Sequence, residues 1–174
     1  MLNIYYYNTI IRDIDIWIAS DKDGIISIGL NQCLEEFTKD ITKDFGHCLF
    51  LEDYSANEDA ISQLQEYFNQ ERTKFSVPIK YIGTEFQKSV WSELISIPYG
   101  SVATYKDIAI RVNNEKAFRA VGMANNKNRL PIIVPCHRVI GSKGKLVGYA
   151  GGLELKKKLL EIEGIKIDYD RIIF

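Results

Sequence analysis

No apolar run in this sequence approaches the ~20 residues needed to span a bilayer. The segment from Met1 to Asp15 also lacks the basic start and small-residue cleavage site of a secretion signal. A soluble, cytoplasmic protein is therefore expected, nuclear only in a eukaryotic source. Cysteine is scarce: Cys33, Cys48 and Cys136 form neither a CxxC pair nor an even framework, which argues against a disulfide scaffold and fits a reducing compartment. No internal repeat and no low-complexity tract is present. Proline is missing from the first 77 residues, and all four prolines, Pro78, Pro98, Pro131 and Pro135, lie beyond them.

That proline boundary coincides with a division of charge. Residues 1–79 carry 6 basic and 14 acidic side chains, whereas residues 80–174 carry 16 basic and 9 acidic ones, so a nearly neutral chain has an acidic half and a basic half. The division predicts an N-terminal domain over 1–79 and a C-terminal domain over 80–174, with the junction near Ser76 to Gly83. A basic domain suggests an anionic partner, of which nucleic acid is the commonest, although scattered lysines also serve as a solvated face.

The first domain reads as a small α/β unit. Asp13 to Ile18 alternates, Asp21-Lys22-Asp23-Gly24 is a turn and Ile25 to Leu30 is strand-like, which makes a β-hairpin within a sheet. Ser55 with Glu58 has the spacing of a capping box, and Ile61, Leu64 and Phe68 follow at helical spacing to about Arg72. The second domain reads as mainly helical, giving an α+β chain overall. Thr84 and Gln87 form a capping box ahead of Val90, Trp91 and Leu94, and Ile97-Pro98-Tyr99-Gly100 closes that helix. Thr104 can cap a second helix with Ile108 and Val112 on its buried stripe. Asn113-Asn114 then break the chain before a third helix from near Glu115 to about Asn126. Two short helices around a tight turn have the pattern of a helix-turn-helix. The third helix carries Ala117, Ala120, Gly122 and Ala124 around Arg119, a composition that suits either close helix packing or a thin helix for the minor groove.

The apolar run Ile132-Ile133-Val134 stops at Pro135-Cys136-His137-Arg138 and resumes at Val139. A thiol is mostly protonated at neutral pH, so a reactive cysteine needs a base or a positive field, and His137 and Arg138 offer both. Adjacent residues of an extended segment point to opposite faces, so His137 would reach the sulfur through a water or a local kink. Glu163, near the end of the last helix, can orient the imidazole. The same residues also fit an inert core cysteine beside a surface histidine.

Together with Asn128 and Gly148-Tyr149-Ala150-Gly151-Gly152, this stretch resembles the O6-alkylguanine-DNA alkyltransferases, also called methylated-DNA-protein-cysteine methyltransferases. The resemblance runs from about Thr84 to Gly164 and includes Ile97-Pro98-x-Gly100-x-Val102-x-Thr104-Tyr105, Arg119-Ala120-Val121-Gly122 and Leu159-Leu160-x-x-Glu163-Gly164. It implies repair of duplex DNA carrying O6-alkylguanine, and less so O4-alkylthymine, by a single-turnover transfer of the alkyl group to Cys136. His137 would be the base, Glu163 its support, and Tyr105 a donor to guanine N3. Arg119, with Ala120, Thr104 and Tyr105, would meet the minor groove, Arg119 filling the gap left by the flipped nucleotide. Asn128, the Val139 backbone, Tyr149, Ala150 and Gly151 would line the base pocket. Ala150 stands where some members have serine. Some members hold a structural zinc in the N-terminal domain, but Cys33, His47 and Cys48 lack the usual spacing and are expected to be core residues. No metal, nucleotide or methyl-donor cofactor is expected, and the protein is expected to act as a monomer. A non-catalytic protein that recognises alkylated DNA and a Cys-His hydrolase that turns over are the alternatives. Cys136 argues against the first, and the Arg119 helix against the second.

Overall fold

The computed structural model describes residues 2–173, which form two compact units meeting in sequence at Ile82 and Gly83. The first unit extends past residue 79 because Ile79 bridges Ile25 and Lys80 N donates to Ile25 O. Lys80 also pairs with Asp21 and Asp23 at the hairpin turn, at 2.6 and 2.9 Å.

The first unit is a four-stranded sheet with two helices. Strands β1 (Leu2–Ile11), β2 (Ile14–Asp21) and β3 (Gly24–Leu30) form an antiparallel meander, and β4 (Cys48–Glu52) lies parallel to β1 on its other side. The turn at Lys22-Asp23 is the expected one. Helix α1 (Leu34–Phe45) buries Phe37 and Ile41 with Ile4, Ala19 and Ile26, and α2 (Glu58–Phe68) buries Ile61, Leu64 and Phe68. Ser55 does not cap α2. A 3₁₀ turn over Ser55–Asn57 intervenes, tied by Asp53 Oδ1 accepting from Ala56 N and by Asn57 Nδ2 donating to the carbonyls of Tyr5 and Asp53. The helix also ends at Phe68 and not near Arg72, since Gln70 takes φ 63°. Cys33 and His47 are exposed and are not the core residues expected, whereas Cys48 is half-buried and packs against the core of Ile4, Ala19, Ile26, Phe37 and Ile41. Among the described residues, no group of histidine, cysteine and carboxylate side chains is placed to hold a metal ion, and no helix is long and apolar enough to cross a membrane.

The second unit is built on helices α3 (Glu85–Ile95), α4 (Tyr105–Arg111), α5 (Phe118–Asn126) and α6 (Leu153–Ile162). Two short strand pairs complete it: β5 (Ala103–Thr104) beside β6 (Val139–Ile140), and β7 (Ile167–Asp168) against β8 (Arg171–Ile172). Both capping boxes in this unit are local and form: Gln87 N donates to Thr84 Oγ1, and Asp107 N to Thr104 Oγ1. Helix α5 begins three residues later than its sequence suggests, because Asn113 takes φ 57° and Ala117 N bonds back to Asn114 O, closing a turn there. Helices α3, α4 and α5 pack on one another around Val90, Leu94, Ile108 and Val121, and Trp91 Nε1 donates to Ala124 O at 2.9 Å.

Candidate active site

The turn before Cys136 is held by one side chain. Asn128 Nδ2 donates to Val134 O at 2.8 Å while its Oδ1 accepts from Leu130 N at 2.9 Å, and Val134 N closes the loop onto Leu130 O. Within this loop Ile132 takes φ 75°, a conformation rare for a β-branched residue that persists only where its surroundings impose it. Asn128 Nδ2 also lies 3.1 Å from Cys136 Sγ, so the same amide that fixes the turn meets the thiol.

Cys136, His137 and Arg138 form a 3₁₀ turn and not an extended strand, with Arg138 N donating to Pro135 O at 3.0 Å. At three residues per turn, side chains diverge by about 120° instead of alternating, which supplies the local kink that an extended segment lacks. His137 is 0% exposed, so it is not a surface residue. Its Nε2 sits 2.7 Å from Glu163 Oε1 at the C-terminal cap of α6. Arg138 clasps the same carboxylate through Nε at 2.9 Å and also donates to Ile97 O at 2.7 Å. Burial raises the Glu163 pKa, but His137 and Arg138 outweigh it and hold the carboxyl down at about 2. Because that carboxylate can only accept, Nε2 carries the proton and the imidazole lone pair is on Nδ1. Burial depresses the His137 pKa below 6.5, against the pull of Glu163, so the ring is neutral and able to accept a proton at physiological pH.

The positive field at the thiol comes from a residue the motif does not contain. Arg138 is occupied by Glu163, whereas Lys156, 0% exposed on α6, donates through Nζ to Val139 O at 2.6 Å and Val147 O at 2.9 Å. Burial lowers its pKa to about 8, and its charge acts on Cys136. Burial itself pushes the Cys136 thiol up, while the Asn128 contact and then Lys156 pull it down. Sequence reading missed Lys156, although a charge on the buried stripe of Leu155, Leu159 and Leu160 was its visible mark.

Of the residues expected around the base, Tyr105 and Tyr149 lie within electrostatic reach of Cys136. Tyr105, at the start of α4, points its hydroxyl at Val147 O and Gly148 O at 3.3 and 3.5 Å, and Cys136 lies close enough to raise its pKa after burial has done so. Tyr149 is likewise raised, by burial first and Cys136 second. A Cβ on Gly151 would come within 2.8 Å of the Leu155 side-chain end and 3.1 Å of the Tyr149 ring, so a larger residue there would have to move Leu155. Ala150 is exposed and Val139 is buried in β6, directly after the Cys136 turn. On α5, Arg119 is exposed with its guanidinium 5.9 Å from the Phe118 ring centre, Ala120 is half-buried, and a Cβ on Gly122 would meet only the Tyr105 ring at an ordinary 3.7 Å. Glycine at 122 is therefore not demanded by packing. Thr104 is occupied as the cap of α4, Oγ1 also donating to Asp107 Oδ2 at 2.7 Å.

Residues 85–165 match the DNA-binding domain of 6-O-methylguanine DNA methyltransferase and residues 6–81 match its ribonuclease-like domain. The inducible methylated-DNA–protein-cysteine methyltransferase of Bacillus subtilis is 40% identical over 161 residues, covering 92% of this chain and 90% of that protein. The methylated-DNA–protein-cysteine methyltransferase of Methanosarcina acetivorans is 57% identical over 106 residues, 61% of this chain and 68% of the other. Among solved structures, the Mycobacterium tuberculosis O6-methylguanine methyltransferase superposes with a TM-score of 0.80 at 35% identity over 96% of both chains. The same organism's OGT in complex with DNA superposes at 0.77, with 35% identity over 93% of this chain and 92% of that one. With both domains matched in order and a full-length relative at this identity, the chain belongs to the 6-O-methylguanine DNA methyltransferase family.

Proposed function

We propose that this chain docks α4 and α5 in the minor groove of duplex DNA, turns an O6-alkylguanine out of the stack and moves the alkyl group to Cys136 Sγ. The chain repairs alkylated DNA by transfer to its own cysteine; the groove, the lesion and the residue roles are our reading. The observation that carries it is a buried thiol braced by Asn128 and followed directly by a neutral histidine bound to a carboxylate. That arrangement suits a nucleophile activated by an oriented base.

The thiol proton passes to His137 through a water, and the thiolate attacks the alkyl carbon in line with the departing O6. The S–C bond forms as the C–O6 bond breaks, and the electron pair stays on the guanine ring, which takes up a proton at N1. Tyr105, donating to N3, stabilises the charge that develops on the base. Asn128 holds the acceptor turn, and Val139, Tyr149, Ala150 and Gly151 form the walls. The product is a thioether with no activated carbon for water to attack, so no step restores the thiol. O4-alkylthymine is a lesser substrate, the protein acts as a monomer in the cytoplasm, and the lesion supplies the alkyl group without a cofactor. Binding without transfer is the disfavoured reading, since the acceptor position holds cysteine.

The test is to mix the protein with excess duplex containing O6-methylguanine and follow intact and peptide masses. One methyl per chain, confined to Cys136, followed by a plateau is expected; continued demethylation by unmodified protein, or no adduct, would overturn the reading. A second experiment separates docking from chemistry. Arg119 is exposed on α5, with its guanidinium near the Phe118 ring, and holding a base out of the stack costs a few kcal/mol. Arg119→Ala should keep its rate with free O6-benzylguanine while losing roughly 10²-fold on duplex, as the loss of a few kcal/mol predicts. Equal losses on the two substrates would remove Arg119 from this role.

A further inference from the structure

The mechanism above leaves a buried amide beside Tyr105 unexplained. Asn125 on α5 is 8% exposed, yet neither Nδ2 nor Oδ1 has a hydrogen-bond partner among the described residues, and the buried Tyr149 hydroxyl lacks one as well. Folded proteins keep few such groups, because each costs about 1–3 kcal/mol to desolvate unpaired. A structural role does not account for Asn125, since a structural asparagine would bond to the chain as Asn128 does. Its position is informative. It lies one turn beyond Gly122, whose Cα faces the Tyr105 ring, and its amide is close enough to the Tyr105 hydroxyl to oppose the upward push of burial and Cys136 on that phenol. Tyr105 and Tyr149 both lie near the acceptor thiol, and Asn125 stands behind Tyr105, so the three offer polar groups to an incoming ligand.

We propose that Asn125 is a specificity-determining residue that reads the guanine edge of the flipped base, Oδ1 accepting from the exocyclic N2 amine while Nδ2 donates to the Tyr105 hydroxyl oxygen. The assignment rests on the function proposed above. A carboxamide offers one acceptor and two donors, and the N2–N3 edge of guanine presents a donor beside an acceptor. With Tyr105 giving its proton to N3 and receiving one from Asn125, the phenol becomes a better donor and Oδ1 is left for N2–H. Tyr105 would exchange its long contacts to Val147 O and Gly148 O for the base. Alkylation at O6 leaves N2 and N3 in place. O4-alkylthymine presents only acceptors along the corresponding edge, so Oδ1 would face a like group there, and sites with buried polar groups reject ligands that leave them unpaired.

The test compares O6-methylguanine with O6-methylhypoxanthine, which lacks only the N2 amine, in the same duplex context, on wild-type protein and on Asn125→Leu and Asn125→Met. The readout is the ratio of Cys136 methylation rates on the two bases. The wild-type ratio should fall by about 10-fold in both variants, the worth of one hydrogen bond of ~1.4 kcal/mol. Thermal stability should hold or rise, because an unpaired amide has been replaced by an apolar group. A ratio unchanged in both folded variants, with the wild type active, would overturn the Asn125 assignment alone. A wild-type protein that leaves Cys136 unmethylated on O6-methylguanine would overturn it together with the proposed function.

Discussion

Replacing Cys136 with alanine is expected to abolish alkyl transfer while leaving affinity for an O6-methylguanine duplex within about threefold of wild type, a difference below ~0.7 kcal/mol. The thiol is 6% exposed, and its sulfur touches Asn128. It therefore supplies the nucleophile but little surface for the DNA. The residues proposed to dock the DNA, Arg119 foremost, lie on other elements and are untouched by the change. Binding titrations and mass spectrometry on the same preparation check the separation; a loss of both together would mean that the acceptor turn itself forms part of the DNA contact. In wild-type protein a methyl group added to Sγ must displace the Asn128 amide 3.1 Å away, and that amide also holds Val134 and Leu130 around the strained Ile132. Overpacking of this kind costs typically ~1–3 kcal/mol. The methylated wild type should melt several degrees below the unmethylated protein, at ~2–4 °C per kcal/mol for a chain of this size. Cys136→Ala should show no such fall after exposure to the same DNA.

The parts of this fold legible in the sequence are those fixed by neighbours in the chain. The box at Thr84, the cap at Thr104 and the hairpin turn at Lys22-Asp23 each need only a few adjacent residues. Ser55 and Glu58 have the same spacing, but Asp53 and Asn57 compete for the local backbone and tie it to Tyr5, far away in sequence, so the pattern fails there. β1 and β4 escaped reading for a related reason. Each is specified by a partner strand, and the β4 pairing is a parallel one across some forty residues. At the site, the order of motifs placed Cys136, His137, Glu163, Asn128 and Tyr105, and the structure gathers them. Their local geometry was not legible: the 3₁₀ turn, the capture of Arg138 by Glu163 and the placement of Lys156 depend on contacts beyond neighbours in the chain.

The buried cluster of Glu163, His137 and Arg138 should make the protein both acid-labile and intolerant of change at Glu163. The folded Glu163 pKa of about 2 lies below its ordinary 4.5, so its contribution to stability is complete above pH 4.5 and is lost as pH falls from there toward 2. His137 acts in the same sense over a higher range. Its folded pKa is depressed below 6.5, so the unfolded chain binds a proton that the folded chain refuses, and stability declines as pH drops below 6.5. Denaturant midpoints should therefore fall steadily from pH 7 to pH 4. Glu163→Gln keeps the shape but removes the charge between two buried partners, leaving the Arg138 guanidinium, 5% exposed, without its counter-ion. Breaking a buried pair in this way costs ~3–5 kcal/mol, which is on the order of 10 °C in Tm. Transfer should fall further than stability accounts for, by roughly 10²-fold or more even at temperatures where the variant is folded, because the base is no longer oriented. Glu161→Gln, exposed on the same helix, is the control and should leave Tm within about 1–2 °C, as surface substitutions do. A Glu163→Gln variant as stable as that control would show that the cluster contributes no net stabilisation. One that kept wild-type transfer would show that His137 needs no carboxylate behind it.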